Sequence, residues 1–170
     1  RDVESLNYYK ILLDQGKTKE QALKVLAARS RDNSRTPMQW SDDKNAGFTE
    51  GTPWIEAPEN YKEINAETEL KDPDSIYSFY KKLIALRKEK DIIAEGTIEF
   101  LEKENADVLA YRRNYQGEEL IVLNNLTAEN VTIRQQPEWK AYQKRLGNYE
   151  KITAEDGKIT LRPFETIVLD

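Results

Sequence analysis

The spacing of apolar positions changes twice along this chain and divides it into three sections. Over Asp2–Ser30, Leu6, Tyr9, Ile11, Leu12 and Leu13, then Ala22, Leu23, Val25, Leu26 and Ala27, recur near helical spacing and predict two helices. Gly16 stands where a glycine follows a helix C-terminus, and Thr18-Lys-Glu-Gln21 has capping-box spacing, so the second helix restarts at Thr18. From Arg31 to Lys71 no period holds, and Pro37, Pro53, Pro58, Gly47 and Gly51 punctuate a long loop. Asp72-Pro73 is expected as N-cap and first residue of a third helix. Its stripe of Ile76, Phe79, Tyr80, Leu83, Ile84 and Leu86 carries it to about Lys88, and the stripe requires a partner surface.

After Ile93 the chain turns to short apolar alternations. Strands are expected at 96–100, 108–112, 119–124, 130–135, 142–146, 158–161 and 165–169, with Asp156-Gly157 the clearest hairpin signal. The domain boundary is therefore placed near Asp91, between a helical part at 1–90 and an antiparallel β-sandwich at 91–170. The fold class is α+β.

Composition narrows the chemistry. With 170 residues, 38% hydrophobic and 34% charged, the chain can bury a core of modest size, and its mean hydropathy of −0.81 makes it a very polar globular chain. A net charge of −5 with mixed signs excludes the concentrated basic face that nucleic acid or an anionic membrane requires. No apolar run approaches the roughly 18 residues of a bilayer span, so a soluble, cytoplasmic protein is expected. Zero cysteines exclude disulfides and thiolate metal sites; zero histidines remove the commonest ligand and base. Asp43-Lys-Asn45-Ala-Gly47 has some character of a calcium loop, but the glycine falls one position early and Trp54 stands where the bidentate glutamate belongs, so no metal is assigned. No cofactor is expected. Asn125-Leu-Thr127 and Asn130-Val-Thr132 match the glycosylation tripeptide and read as strand and turn residues.

The densest chemistry lies in Arg31-Asp-Asn-Ser-Arg-Thr-Pro-Met-Gln-Trp40, followed by Asn45-Ala-Gly-Phe-Thr49 and Gly51-Thr-Pro-Trp-Ile55. Ordered irregular backbone of this kind usually lines a site. These motifs resemble the loop after the last barrel strand of α-glucosidases in the α-amylase superfamily, glycoside hydrolase family thirteen. Oligo-1,6-glucosidases, dextran glucosidases and trehalose-6-phosphate hydrolases are the classes most similar. The resemblance extends through Asp74–Arg87 and the β-rich tail, and so covers nearly the whole chain.

The resemblance implies a C-terminal fragment: two helices from a loop insertion, the RDNSRTPMQW loop and the last helix of a TIM barrel, then the eight-stranded domain C. It also implies that the catalytic carboxylates lie on barrel strands outside this chain, so no residue here is assigned as catalytic. Arg31 takes the place of the arginine that pairs with an aspartate and helps close the subsite for a terminal glucose. A guanidinium offers a planar fork suited to gripping a carboxylate and a sugar hydroxyl together. Substrate contact in the intact parent is the preferred reading of Arg31, beside a structural salt bridge. Asp32 and Arg35 read as scaffold, and Trp40, Phe48 and Trp54 as wedges rather than stacking platforms. Asp42-Asp43, Asp72/Asp74 and Glu118-Glu119 read as solvated or structural rather than as the carboxylate pair of a glycosidase.

The implied parent is a retaining, exo-acting α-glucosidase acting on short α-1,6- or α-1,4-glucosides, with oligosaccharide substrate and the missing barrel as its partners. A trehalose-6-phosphate hydrolase is one alternative. The other is a non-catalytic accessory or carbohydrate-binding module, which would place exposed aromatics on a sheet face, whereas Tyr111, Tyr115, Trp139, Tyr142, Tyr149 and Phe164 read as core.

Overall fold

A computed structural model describes residues 1–170. The chain forms two compact units, Arg1–Pro73 and Asp74–Asp170.

In the first unit, helix α1 (Val3–Asp14) ends in a Schellman motif. The left-handed Gly16, φ 82°, lets its N–H reach the Leu13 carbonyl at 2.9 Å while the Lys17 N–H reaches that of Leu12 at 3.1 Å. Helix α2 (Lys19–Arg29) opens on the expected capping box, with Thr18 Oγ1 accepting the Gln21 N–H at 3.2 Å and Gln21 Oε1 accepting the Thr18 N–H at 3.1 Å. Beyond Ser30 the backbone is irregular but ordered, with 3-10 turns at Arg31–Ser34 and Glu59–Lys62.

Two expectations are corrected here. The stretch read as continuous loop contains helix α3 (Ala66–Lys71), opened by reciprocal capping between Asn65 and Thr68. Six residues are too few to show a period. Nor does Asp72 cap the next helix. It ends α3 with φ −94° and ψ 115°, the extended conformation that a following proline imposes. Helix α4 (Ile76–Glu89) is capped instead by Ser75, whose Oγ accepts the Ser78 N–H at 3.1 Å.

The second unit contains α4, the short helix α5 (Ile92–Glu95) and eight strands. They are β1 (Thr97–Leu101), β2 (Val108–Tyr115), β3 (Glu118–Asn125), β4 (Val131–Arg134), β5 (Lys144–Gly147), β6 (Thr153–Glu155), β7 (Lys158–Leu161) and β8 (Thr166–Leu169). They form an antiparallel five-stranded sheet, β1-β2-β3-β8-β5, and a three-stranded sheet, β4-β7-β6. Strand β6 was not expected; its three residues are exposed and carry no alternation, but Asp156-Gly157 joins it to β7. Both turn residues have positive φ, 51° and 71°, as a tight hairpin with right-handed strand twist requires.

The unbroken apolar run Leu120-Ile-Val-Leu123 in β3 follows from burial on both faces. Ile121 and Leu123 point into a core shared with Ile133, Ile159 and Leu161 of the second sheet and with Trp139. Leu120 and Val122 point the other way, with Ile92, Leu146 and Val168, under Phe79, Leu83 and Leu86 of α4. Helix α4 thus divides its stripe: Phe79, Leu83 and Leu86 cover the sheet, while Ile76, Tyr80 and Ile84 are exposed. The change of pattern at Asp91 falls inside this unit.

Polar anchors fix the edges. Arg113 on β2 donates to the carbonyls of Ile92 at 2.9 Å and Gly96 at 2.7 Å, holding the end of α5. A Cβ at Gly96 would stand 2.4 Å from the Ile92 carbonyl oxygen, so this approach requires glycine. Lys90 pairs with Asp170 at 2.9 Å, and Arg145 pairs with the same carboxylate.

Candidate functional site

The loop that begins at Arg31 is positioned by side chains far from it in sequence. Ser30 ends α2 in extended backbone, and its Oγ accepts the Asp32 N–H at 3.2 Å, starting the 3-10 turn whose first residue is Arg31. The Arg31 N–H donates to Asp2 Oδ2 at 3.4 Å, and its guanidinium Nε lies 3.8 Å from Asp2 Oδ1. Arg31 Nη2 pairs with Glu4. Asp32 returns the contact: its Oδ2 accepts the Asp2 N–H at 2.8 Å, while its Oδ1 accepts from Arg35 at 3.2 Å. Asp32 therefore holds backbone in place, and Arg35 pairs with its other oxygen.

The two ends of Arg31 differ. Its backbone is tied to Asp2, whose side chain is only 7% exposed, while its guanidinium is 60% exposed and rests on Glu4, itself 69% exposed. A hydrogen bond from Ser5 Oγ at 2.7 Å, with help from the Arg31 amide and guanidinium and against the opposing effect of burial, keeps the Asp2 carboxyl below the ordinary carboxylate range. A cleft of about 810 Å³, lined by Asp2, Glu4, Ser5, Tyr8, Arg29 and Arg31 with their neighbours, opens at this point. Asp2, Glu4 and Ser5 were not singled out from the sequence. The available signal was an aspartate directly before a predicted helix.

Further along, Asn45, Ala46 and Gly47 are consecutive left-handed residues, with φ 55°, 59° and 65°. This conformation costs an L-residue about 1–2 kcal/mol. Specific hydrogen bonds offset the cost: the Ala46 carbonyl accepts from Trp40 N–H at 2.9 Å and Ser41 N–H at 3.2 Å, and Asn45 Nδ2 donates to the carbonyls of Thr49 and Gly51. The Asn45 amide, set in the frame weighed as a calcium loop, is thereby committed to backbone. The same turn leaves Trp40, Phe48 and Trp54 half or more exposed, so these rings are not wedged within this unit.

In two of the carboxylate pairs one member is held by structural partners. Asp43 accepts from Ser41 Oγ at 2.9 Å. Glu119 accepts the Tyr142 hydroxyl at 2.7 Å and Arg112 at 2.9 Å, and the hydrogen bond to Glu119, with partial burial and the carboxylate charge, pushes the Tyr142 phenol up to about 12. No group of three or more aspartate, glutamate, histidine or cysteine side chains is arranged to hold a metal ion. No helix is long and apolar enough to cross a membrane.

In the β-rich unit the aromatic expectation needs one correction. Trp139 is buried, but Phe164 sits at the exposed tip of a turn with φ 53°. Asn125 is also settled: it is 3% exposed, its Nδ2 donates to the carbonyls of Glu129, Leu161 and Arg162, and its Oδ1 accepts from Thr127. A side chain so engaged is not open to glycosylation.

Comparison with known proteins bears on both units. Residues 4–96 match the family described as "Alpha amylase, catalytic domain", and residues 108–168 match "Alpha-amylase SusG C-terminal domain". A trehalose-6-phosphate hydrolase of Bacillus subtilis is 45% identical over 99% of this chain and 30% of its own length. An oligo-1,6-glucosidase of Parageobacillus thermoglucosidasius is 42% identical over 99% of this chain and 31% of its own. Among solved structures, trehalose-6-phosphate hydrolase of Bacillus licheniformis gives a TM-score of 0.90 at 44% identity, over 99% of this chain and 31% of that one. Trehalulose synthase from Pseudomonas mesoacidophila gives 0.84 at 34% identity, over 99% and 31%. The chain thus spans about 30% of the length of the curated relatives it matches.

Proposed function

This chain belongs to the α-amylase catalytic-domain family, and we propose that it is the C-terminal part of a retaining, exo-acting α-glucosidase. The observation that carries the proposal is Arg31. It opens an ordered loop beside a cleft, with its backbone tied down and its guanidinium exposed, in the sequence motif where the family places a substrate-gripping arginine. In the intact parent the fork bridges a carboxylate and a hydroxyl of the terminal glucose. Retaining hydrolysis needs a nucleophile and an acid/base carboxylate about 5–5.5 Å apart. None of the carboxylates of this chain lies in the family's catalytic motifs, so both are assigned to the barrel part that would precede it.

The partners are accordingly an oligosaccharide and that barrel. Two substrate classes fit: short α-1,6- or α-1,4-glucosides, and trehalose 6-phosphate. Relatives named for each are similar to this chain: an oligo-1,6-glucosidase at 42% identity, and a trehalose-6-phosphate hydrolase at 45%. The accessory-module reading has less support, because the exposed aromatics of the strands and their turns, Phe100 and Phe164, share no strand. Assaying the full-length polypeptide with isomaltose, an aryl α-glucoside and trehalose 6-phosphate tests the proposal. Turnover of at least one substrate with retention at the anomeric carbon supports it, and turnover of none removes it.

A further inference from the structure

We propose that Asp2 is a positioning residue for Arg31, setting the direction in which the guanidinium leaves the backbone; this rests on the reading of Arg31 as a substrate-binding group. Asp2 occupies the N-cap position of α1, where an aspartate ordinarily accepts the free amides of the first turn. It makes no such capping hydrogen bond; the Glu4 amide in the first turn is the smallest of its favourable contacts, below those of Ser5 and Arg31. Its carboxylate is turned instead to the Arg31 N–H at 3.4 Å and the Ser5 hydroxyl at 2.7 Å, and its own N–H is held by Asp32 at 2.8 Å.

The two aspartates thus form a reciprocal clasp between residues 29 or more apart in sequence: Asp2 receives the amide of Arg31, and Asp32 receives the amide of Asp2. A buried carboxylate at the base and an exposed, weakly held ion pair at the tip divide the work. The clasp fixes where Arg31 starts, and the contact with Glu4 can be exchanged for substrate, because an exposed ion pair contributes little. Positioning of this kind matters to rate, since a displacement of about 1 Å can cost on the order of a hundredfold.

The test uses the full-length enzyme and an aryl α-glucoside, with Asp2→Ser as the main variant. Serine is as good an N-cap as aspartate, so α1 keeps or gains stability, but the shorter side chain cannot reach the Arg31 N–H. The expected result is an unchanged melting temperature with kcat/KM lowered on the order of tenfold to a hundredfold. Asp2→Asn, which keeps an acceptor of the same reach, should retain most of the activity. In an Arg31→Ala background, Asp2→Ser should add little further loss, because the group it positions has gone. Full kcat/KM in Asp2→Ser, or the same fractional loss with and without Arg31, overturns the proposal. A full-length chain whose kcat/KM is indifferent to Arg31→Ala removes the reading beneath it as well, whereas an Arg31-dependent enzyme indifferent to Asp2→Ser removes this inference alone.

Discussion

Residues 1–73 and 74–170 are ordered by different means. Of the eighteen buried apolar side chains, only Leu12, Ala22 and Ala46 belong to the first unit, and fifteen belong to the second. The second unit is built around two apolar cores on opposite faces of one sheet. The first is held by caps, a carboxylate clasp and a left-handed turn, and it exposes Trp40, Phe48 and Trp54. Hydrophobic burial supplies most folding stability, whereas hydrogen bonds supply geometry at modest net gain. The comparison therefore separates a stable platform from a precisely shaped segment with little stability of its own.

Substitutions should separate the two units. The largest effect belongs to the doubly covered strand. Leu123→Ala empties a fully buried position between the sheets and should cost about 3–4 kcal/mol in a denaturant titration of the β-rich unit. A loss below about 1 kcal/mol would show that the inner core is not what holds that unit.

Asn125→Ala should follow, at about 2–4 kcal/mol, because it strips donors from three carbonyls at a side chain 3% exposed. In the first unit, Gly47→Ala places a Cβ 2.5 Å from Ser41 Oγ at a residue with φ +65°. The expected cost is about 1–2 kcal/mol, felt locally. Faster amide exchange at Trp40 and Ser41 with an unchanged β-rich unit would sharpen the comparison, and cooperative loss of both units would break it.

The smallest effect is pH-linked. Tyr142 has its pKa raised to about 12 by the hydrogen bond to Glu119, against an unfolded value near 10. The neutral phenol is the form favoured in the folded state, so its contribution is complete below pH ~10 and is lost as pH rises towards ~12. Discounted for partial exposure, this is on the order of 1 kcal/mol. Tyr142→Phe should flatten that alkaline decline, and an identical slope in the variant would show that the bond carries no such stability.

Legibility from sequence followed the same division. Gly16, Thr18 and Asp156-Gly157 announce local geometry through backbone chemistry that acts within a few residues, and each occupies the expected place. Helix α3 and strand β6 were missed because six and three residues are too short for periodicity, and the cap falls to Ser75 because Pro73 and Asp74 form a turn and the helix begins only at Ile76. The site was legible only in part. Arg31 stands out by motif, but its partners Asp2 and Glu4 are brought to it by the folding of two intervening helices. Asn125 reads from sequence only as a strand or turn residue, and its burial and hydrogen bonds show it to be a structural cross-link.

The central claim is that this chain contributes a substrate-gripping arginine to a glycosidase whose reacting carboxylates lie elsewhere. Hydrolysis of isomaltose, an aryl α-glucoside and trehalose 6-phosphate, measured for the 170-residue chain alone, for the full-length polypeptide and for its Arg31→Ala variant, tests it most directly. The expected result is no turnover by the isolated chain, turnover by the full-length protein, and a kcat/KM reduced at least tenfold in the variant with an unchanged melting temperature, as loss of a charge-assisted fork implies. Turnover by the isolated chain that is abolished by mutating one of its own carboxylates, or an Arg31→Ala enzyme with full kcat/KM and a lowered melting temperature, would contradict it.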